Sequence, residues 1–236
     1  MNKYIDHKLL RSLSTDLEGE FYFDDLHRKI YSTDASAYRD IPLAVALPKS
    51  KEDIKKLVEF AINNSTSLIP RTAGTSLAGQ VVGNGIVVDV SKNFNRIDEP
   101  DLVKKTIWVE PGVIRDELNL FLEKHDLYFG PETSTANRAM IGGMVGNNSC
   151  GSNSVIYGST RDQLKRIKGI LSDGSEVEFG PISRSEFEFK KSKENPNLLE
   201  RNIYQRIFDM LSDENNQSNI EKEFPKKEIK RRNTGY

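Results

Sequence analysis

Residues 67–90 read SLIPRTAGTSLAGQVVGNGIVVDV, and no other stretch indicates the fold as clearly. Its two ends, SLIP (67–70) and GIVVDV (85–90), are short apolar runs, and the loop between them is rich in glycine and small residues. Apolar runs of this length beside glycine and proline are typical of buried strands. The stretch therefore predicts a strand, a glycine-rich loop and a second strand in direct succession.

The residues before this stretch predict another strand and a helix. PLAVAL (42–47) is a compact apolar run that is typical of a strand. Ser50 follows as a helix N-cap, with Asp53 three residues on in an imperfect capping box. Apolar residues then recur at helical spacing: Ile54, Leu57, Val58, Ala61 and Ile62. With the strand at 67–70, this order predicts a βαβ unit whose crossover is right-handed.

The rest of the chain alternates between strand and helix patterns. We expect helices at His7–Leu17, Val113–His125 and Leu198–Leu211, strands at Thr106–Val109 and Lys226–Tyr236, a turn-rich stretch from Gly130 to Gly158, and a hairpin around Ser172–Ser175. The fold class is α+β with two lobes. Residues 1–40 are an N-terminal extension, 41–98 a small βαβ lobe, and 99–236 a larger mixed-sheet lobe with helices.

Composition excludes several classes of function. The chain has 34 basic and 35 acidic residues, so there is no electrostatic case for nucleic acid or an anionic membrane as partner. One cysteine, Cys150, cannot form an internal disulfide or a thiolate zinc site alone. His7, His27 and His125 lack metal-ligand spacing, and no apolar run is long enough to span a bilayer. The default location is a reducing cytoplasm.

The first glycine-rich segment, PRTAGTSLAGQ (70–80), suits a pyrophosphate. Small residues let the backbone approach a ligand closely, and successive N–H groups can form an anion-binding nest. Thr75 and Ser76 add hydroxyl donors. The alternative interpretation is a flexible surface loop, because the segment matches neither the P-loop nor the GxGxxG pattern.

The second glycine-rich segment combines PETST (131–135) with IGGMVGNNSCG (141–151). Apolar residues alternate with the glycines, which predicts a buried loop lining a cavity rather than a solvent-exposed linker. Short polar side chains near its end offer hydrogen bonds with little bulk. The alternative is a structural turn with a tight glycine helix.

Taken together, these segments resemble the FAD-binding domain of the vanillyl-alcohol oxidase superfamily. The resemblance is carried, in order, by PRTAGTSLAG, GIVVDVS, VEPGV, GPETST, IGGMVGNNSCG, YGSTRD and ILSDG. They are most similar to the glycolate oxidase and D-lactate or D-2-hydroxyglutarate dehydrogenase branch. NNSCG followed by YGSTRD resembles large bacterial members that also carry an iron–sulfur region. The resemblance covers about 42–179, and RRNTGY (231–236) resembles the segment leading into the next domain.

The resemblance implies a set of FAD-binding residues. Around the pyrophosphate it implies Arg71, Thr72, Ala73, Gly74, Thr75, Ser76 and Leu77. Along the diphosphate and ribityl region it implies Pro131, Thr133, Ser134, Thr135, Gly142 and Gly143. Over the flavin side it implies Asn147, Asn148, Ser149 and Gly151, and at the adenine end the backbone of Ile170.

Two details qualify this implied site. The family usually has glycines where this chain has Thr72 and Ala73, so the loop is strained if either position needs a positive φ. Some relatives tether FAD through a histidine in the first loop or a cysteine just before the second glycine pair. This chain has no histidine between Arg71 and Gly85, and Cys150 follows the pair. We therefore expect non-covalent FAD.

The implied parent reaction is oxidation of a 2-hydroxy acid to a 2-oxo acid, with hydride transfer to the flavin. In the family a substrate-binding cap domain with catalytic histidines follows the FAD domain, so we expect the chain to stop before it and assign no catalytic residue or metal ligand. Two alternatives remain open. One is a non-catalytic module that retains the fold without the ligand. The other is an FAD protein similar to UDP-N-acetylenolpyruvoylglucosamine reductase, which uses NADPH.

Overall fold

The computed structural model describes residues 5–226 and 228–229. They form two compact units that divide between Gln163 and Leu164. The first unit contains α1 (His7–Asp16), β1 (Glu20–Tyr22), α2 (Asp25–Ile30), β2 (Ala44–Leu47), α3 (Lys51–Asn64), β3 (Leu68–Arg71), β4 (Ile86–Asp89), α4 (Arg115–Glu123), α5 (Ile141–Asn147), α6 (Ser154–Tyr157) and α7 (Thr160–Gln163). The second contains β5 (Ile167–Ile170), β6 (Glu176–Phe179), α8 (Arg184–Lys191), α9 (Leu198–Ser212) and α10 (Glu214–Glu223). The α+β fold class is confirmed.

The first unit is built on a four-stranded sheet with the order β1-β2-β4-β3. Strands β2, β4 and β3 are parallel, and β1 pairs antiparallel with β2. Every residue of β2 and β4 is buried, as expected for central strands of a covered parallel sheet. The strand, helix, strand order of the sequence is confirmed, with β4 lying between its two strands.

Helix α3 begins where the sequence predicts, but Asp53 does not complete a capping box. The Oγ of Ser50 accepts a hydrogen bond from the N–H of Asp53 at 3.2 Å. The buried Asp53 carboxylate instead accepts the N–H groups of Glu18, Gly19 and Lys49, each at 2.9 Å. The loop before β1 passes over the start of α3, so its N–H groups compete for this carboxylate.

The buried face of α3 is narrower than the sequence predicts. Leu57, Val58 and Ala61 are buried, but Ile62 is 57% exposed. Successive helical residues are rotated by about 100°, which places Ile62 about 40° outside the arc that these three residues define.

Two hydrophobic clusters form the core of the first unit. One packs α1 against the sheet, through residues including Leu10, Phe21 in β1 and Ile86 in β4. The other lies further along the chain and includes Leu118 and Met144. Residues 5–40 thus contribute to the first core, and the lobe boundary at residue 98 stays a prediction.

One predicted strand does not form, and in the turn-rich stretch the alternative of a tight glycine helix is the correct one. Thr106–Val109 is not a strand, because Thr106 and Val109 make only isolated bridges to Asp101 and Ile97. Residues 96–101 run beside it and add a hydrogen bond from the N–H of Asp98 to the carbonyl of Trp108 at 3.0 Å, but no continuous ladder forms. The stretch 130–158 also contains helices α5 and α6. Ile141 and Met144 are three residues apart and both buried, so the alternation of apolar residues with glycine is helical periodicity.

The second unit confirms the predicted hairpin and helix. Strands β5 and β6 pair antiparallel, with Gly169 opposite Val177, and Gly174 in the turn has φ +83°. Helix α9 covers the segment predicted to be helical. Most of 226–236, including RRNTGY, lies outside the described residues. No helix in the described part of the chain has the length and apolar character that crossing a membrane requires.

Candidate functional site

The first glycine-rich loop follows β3 after Arg71, and the backbone N–H groups at its start make no hydrogen bonds within the described residues. From Thr72 to Leu77, no backbone N–H donates to any group among the described residues. Further along the loop, the N–H of Ala78 donates a hydrogen bond to the Oγ of Ser76 at 3.1 Å. Residues 72–76 are half-buried and Leu77 is 81% exposed. A run of open N–H donors on a half-buried loop can accept an anionic ligand.

The loop is held from the N-terminal side by residues that sequence reasoning missed. Nη1 of Arg71 donates to the carbonyl of Thr33 at 2.8 Å, and its Cζ lies 5.2 Å from the ring centroid of Tyr31. The hydroxyl of Tyr31 donates to Asp89, which ends β4. The one available signal in the sequence was a carboxylate, Asp89, at the end of a buried strand.

The two glycine-rich segments meet in the structure. Nε2 of Gln80, at the end of the first segment, donates to Oδ1 of Asn147 in α5 at 3.1 Å. Gly143 faces Thr72, because a Cβ at Gly143 would lie 2.8 Å from the Oγ1 of Thr72. Gly142 faces the other way, where a Cβ would lie 2.5 Å from the Cβ of Pro111. Glycine at both positions therefore lets α5 approach its neighbours on two sides.

Segment 131–135 is fixed by a buried arginine at the start of α4. Nε of Arg115 donates to the carbonyl of Pro131 at 3.1 Å, and its Nη1 forms an ion pair with Asp116 at 2.8 Å. Burial lowers the pKa of Arg115, but hydrogen bonds with Asp116 and Tyr128 raise it above its usual value. This fixed cation holds the backbone that leads into Thr133–Thr135.

Residues 133–135 present donors much as the first loop does. The hydroxyls of Thr133 and Thr135 lie 3.3 Å apart. In the part of the chain that the structure describes, the N–H groups of 133–135 have no acceptor, and no hydrogen bond joins them to the first loop. Gly151 packs closely behind them, because a Cβ there would lie 2.0 Å from the carbonyl oxygen of Glu132.

Asn148 and Ser149 are buried and engaged within the protein. Oδ1 of Asn148 accepts the N–H of Arg161 at 3.0 Å. The carbonyl of Ser149 accepts both the N–H and the hydroxyl of Thr160, at 3.0 and 2.7 Å. These two residues hold α5 to α7, whereas Asn147 beside them is exposed.

Ile170 and two of the histidines have other partners. Ile170 ends β5 in the second unit, where it pairs with Glu176. Nδ1 of His27 lies 2.7 Å from Asp24, and His125 packs near Phe121. Within the described residues, no group of three or more His, Cys, Asp or Glu side chains could hold a metal ion.

Known proteins similar to this chain were identified by sequence and by structure. A family described as FAD binding domain matches residues 42–180. D-2-hydroxyglutarate dehydrogenase from Pantoea ananatis is 36% identical over 208 residues, which are 87% of this chain and 20% of that protein. Glycolate oxidase subunit GlcD from Bacillus subtilis is 31% identical over 168 residues, 70% of this chain and 36% of that protein.

A solved structure supports the same fold. Alkyldihydroxyacetonephosphate synthase superposes on 75% of this chain and 38% of its own with a TM-score of 0.65. At 20% identity, this likeness concerns the fold alone. The chain spans about a fifth of the length of the Pantoea ananatis dehydrogenase.

Proposed function

We propose that this chain, which belongs to the FAD binding domain family and takes FAD as its cofactor, is the flavin-holding part of a larger protein. That protein is a dehydrogenase or oxidase of 2-hydroxy acids. The observation that carries this proposal is the 36% identity with a D-2-hydroxyglutarate dehydrogenase over 87% of the chain. The parent reaction oxidises a 2-hydroxy acid of the D-lactate, glycolate or D-2-hydroxyglutarate type to a 2-oxo acid. The flavin, when bound, accepts the hydride, and the protein binds and orients it.

The donor set of the first loop fits a pyrophosphate. The N–H groups from Thr72 to Leu77 have no acceptor among the described residues, and a diphosphate supplies acceptor oxygens with negative charge. Thr75 and Ser76 add hydroxyls to the same loop. We assign the pyrophosphate to this loop.

Beside the loop lies a second feature that fits a dinucleotide. The Oδ2 of Asp34 is buried and has no hydrogen-bond partner in the described part of the chain. Its two neighbours are hydrogen-bonded to the loop: the carbonyl of Thr33 accepts from Arg71, and the N–H of Ala35 donates to the carbonyl of Gly74. A sugar hydroxyl is the kind of donor that this carboxylate oxygen lacks.

We assign the second glycine-rich segment to the other side of the cofactor. Thr133–Thr135 offer N–H groups and hydroxyls, and Gly143 lies against the first loop. Asn147 and Gly151 complete this side, whereas Asn148 and Ser149 act by holding α5 in place. Ile170 is assigned to the adenine end through its backbone.

In this proposal, the substrate-binding part lies in a region of the parent protein outside this chain, and we call that region the remainder. The support is length, because the chain spans 20% of one dehydrogenase and 36% of a glycolate oxidase subunit. That remainder would supply the acid–base group and the substrate pocket, as a cap domain after this one. An iron–sulfur region would be its electron-transfer partner, and the cytoplasm its location.

Gly143→Asp tests the site. We expect the variant to lose most of its FAD, because the new Cβ meets Thr72 and the carboxylate repels the phosphates. The measurement is the ratio of flavin to protein absorbance after dialysis. Ser212→Asp is the charge-matched control, since Ser212 is exposed at the end of α9 and has no role in the proposed site, and it should keep its FAD.

Arg71→Ala is a second test of the same site. We expect weaker FAD retention, because Arg71 holds the loop in place. Full FAD occupancy in both Arg71→Ala and Gly143→Asp would show that the site is elsewhere. A wild-type protein that stays colourless after incubation with FAD would favour a non-catalytic module.

A further inference from the structure

A series of side-chain contacts runs from the end of β4 to the first glycine-rich loop. Asp89 is buried, and its Oδ2 accepts a hydrogen bond of 2.7 Å from the hydroxyl of Tyr31. Its Oδ1 accepts the N–H of Ser91 at 2.8 Å, so both oxygens are engaged. Burial and the hydrogen bond to Asp89 raise the pKa of Tyr31 above its usual value, so the hydroxyl stays a donor well into the alkaline range.

The ring of Tyr31 lies against Arg71. The Cζ of Arg71 is 5.2 Å from the ring centroid, within the range of a cation–π contact. The same guanidinium donates to the carbonyl of Thr33 at 2.8 Å. Two different contacts therefore fix the guanidinium on the N-terminal segment.

Arg71 in turn shapes the loop. A Cβ at Gly74 would lie 2.5 Å from the Nη2 of Arg71, so the backbone at Gly74 passes directly against the guanidinium. The carbonyl of Gly74 accepts the N–H of Ala35 at 3.1 Å. The backbone that carries the open N–H donors is thus packed on Arg71 and tied to the N-terminal segment.

We propose that Tyr31 is a positioning residue for the cofactor site, which holds Arg71 in place and through it orders the loop from Thr72 to Leu77. The inference rests on the proposed function, because the loop is the pyrophosphate site in that proposal. In this proposal Arg71 does not need to contact FAD, because it acts by packing against the loop backbone at Gly74. Fixing the loop before the ligand arrives removes an ordering cost from binding, which tightens the complex.

The family match does not assign this role. It begins at residue 42, whereas Tyr31 and Thr33 precede it. Residues 31–35 therefore belong functionally to the cofactor site, although the sequence predicts them only as an N-terminal extension.

A double-mutant cycle on FAD affinity tests the coupling. We expect Tyr31→Leu to raise the FAD dissociation constant about tenfold, because it removes a hydrogen bond and a cation–π contact. Arg71→Ala should raise it by at least as much. If Tyr31 acts through Arg71, adding Tyr31→Leu to Arg71→Ala should change the constant by less than about twofold. Flavin fluorescence titration measures all four proteins.

Tyr22→Phe is the matched control. Tyr22 also donates to a carboxylate, Glu20, at 2.6 Å, but it lies in β1. We expect its FAD dissociation constant to equal that of wild type. Should Tyr31→Leu fail to fold, Tyr31→Phe takes its place in the cycle, with an expected increase of about threefold.

Trypsin cleavage in the absence of FAD separates the two proposals. The bond after Arg71 should be cut several times faster in Tyr31→Phe than in wild type or Tyr22→Phe, as read by mass spectrometry. A wild type that binds no FAD would refute the proposed function and leave this comparison to decide the role of Tyr31. Equal cleavage rates, or losses of affinity that multiply in the double mutant, would overturn the positioning role.

Discussion

Gly74 is the one residue between Arg71 and Leu77 with a positive φ, at +66°. Thr72 and Ala73, which stand where the family usually has glycine, have ordinary negative φ values. Their side chains therefore cost no backbone strain, and the departure from the family pattern does not argue against a working loop. The side chain of Thr72, which a glycine would lack, places its Oγ1 opposite Gly143 in α5.

At the scale of single residues, we also predict that FAD is held without a covalent bond. Thr75 stands in the first loop with no histidine nearby in sequence, and Cys150 follows α5 rather than preceding it. Acid precipitation of the FAD-loaded protein should leave flavin in the supernatant and a colourless pellet. Colour that stays in the wild-type pellet and disappears in Cys150→Ala would show a tether.

At the scale of elements, one carboxylate joins the start of α3 to the loop before β1. Asp53 is fully buried and accepts three backbone N–H groups, from Glu18, Gly19 and Lys49. Burial raises the pKa of Asp53, but the hydrogen bonds from Lys49, Glu18 and Gly19 outweigh it, and the pKa lies below its usual value. The ionised form is therefore the one that stabilises the fold.

Asp53→Asn tests this contribution and its pH dependence. We expect a loss of about 1–3 kcal/mol of unfolding free energy at pH 7, because the amide cannot satisfy the same donors. A lowered folded-state pKa contributes stability that is complete above the unfolded value, about 4, and is lost as pH falls through the folded value. The difference between wild type and variant should therefore shrink between pH 5 and the acid limit, as measured by urea unfolding.

The exposed Glu52 in the same helical turn provides the control for that series. Glu52→Gln should change the unfolding free energy by less than about 0.5 kcal/mol, as surface substitutions usually do. A difference between wild type and Asp53→Asn that stays constant down to pH 3 would contradict the role of the ionised carboxylate.

At the scale of the whole molecule, the described residues contain the proposed cofactor site, and none of them is assigned as an acid–base group. We therefore expect the isolated chain, loaded with FAD, to show no useful oxidation of D-lactate, glycolate or D-2-hydroxyglutarate. Substrate positioning and proton transfer each contribute orders of magnitude to such reactions. Anaerobic absorbance spectroscopy measures flavin reduction by each acid.

Dithionite gives the positive control, because it should bleach the same bound flavin. Rapid reduction by any of the three acids would contradict the proposal that the substrate-binding part lies in the remainder of the parent protein. Reduction by NADPH instead would favour the reductase-like alternative.

The local features of this protein can be predicted from its amino-acid sequence. The Ser50 cap, the buried strands around the first loop, the Asp173-Gly174 hairpin and the periodicity of α9 follow from residues within a few positions of one another. Such signals act over one turn or one strand, and so they can be read without knowing the rest of the fold. The family resemblance depends on the same local motifs.

Contacts between residues that are distant in sequence are known only from the folded structure. Tyr31 reaches Asp89 across 58 positions, and Gln80 reaches Asn147 across 67. The placement of β4 between β2 and β3 likewise depends on how the parallel strands pack. These contacts depend on packing between elements, and no local periodicity encodes them. The sequence could therefore name the two glycine-rich segments, but the residues that bring them together emerged only when the chain was folded.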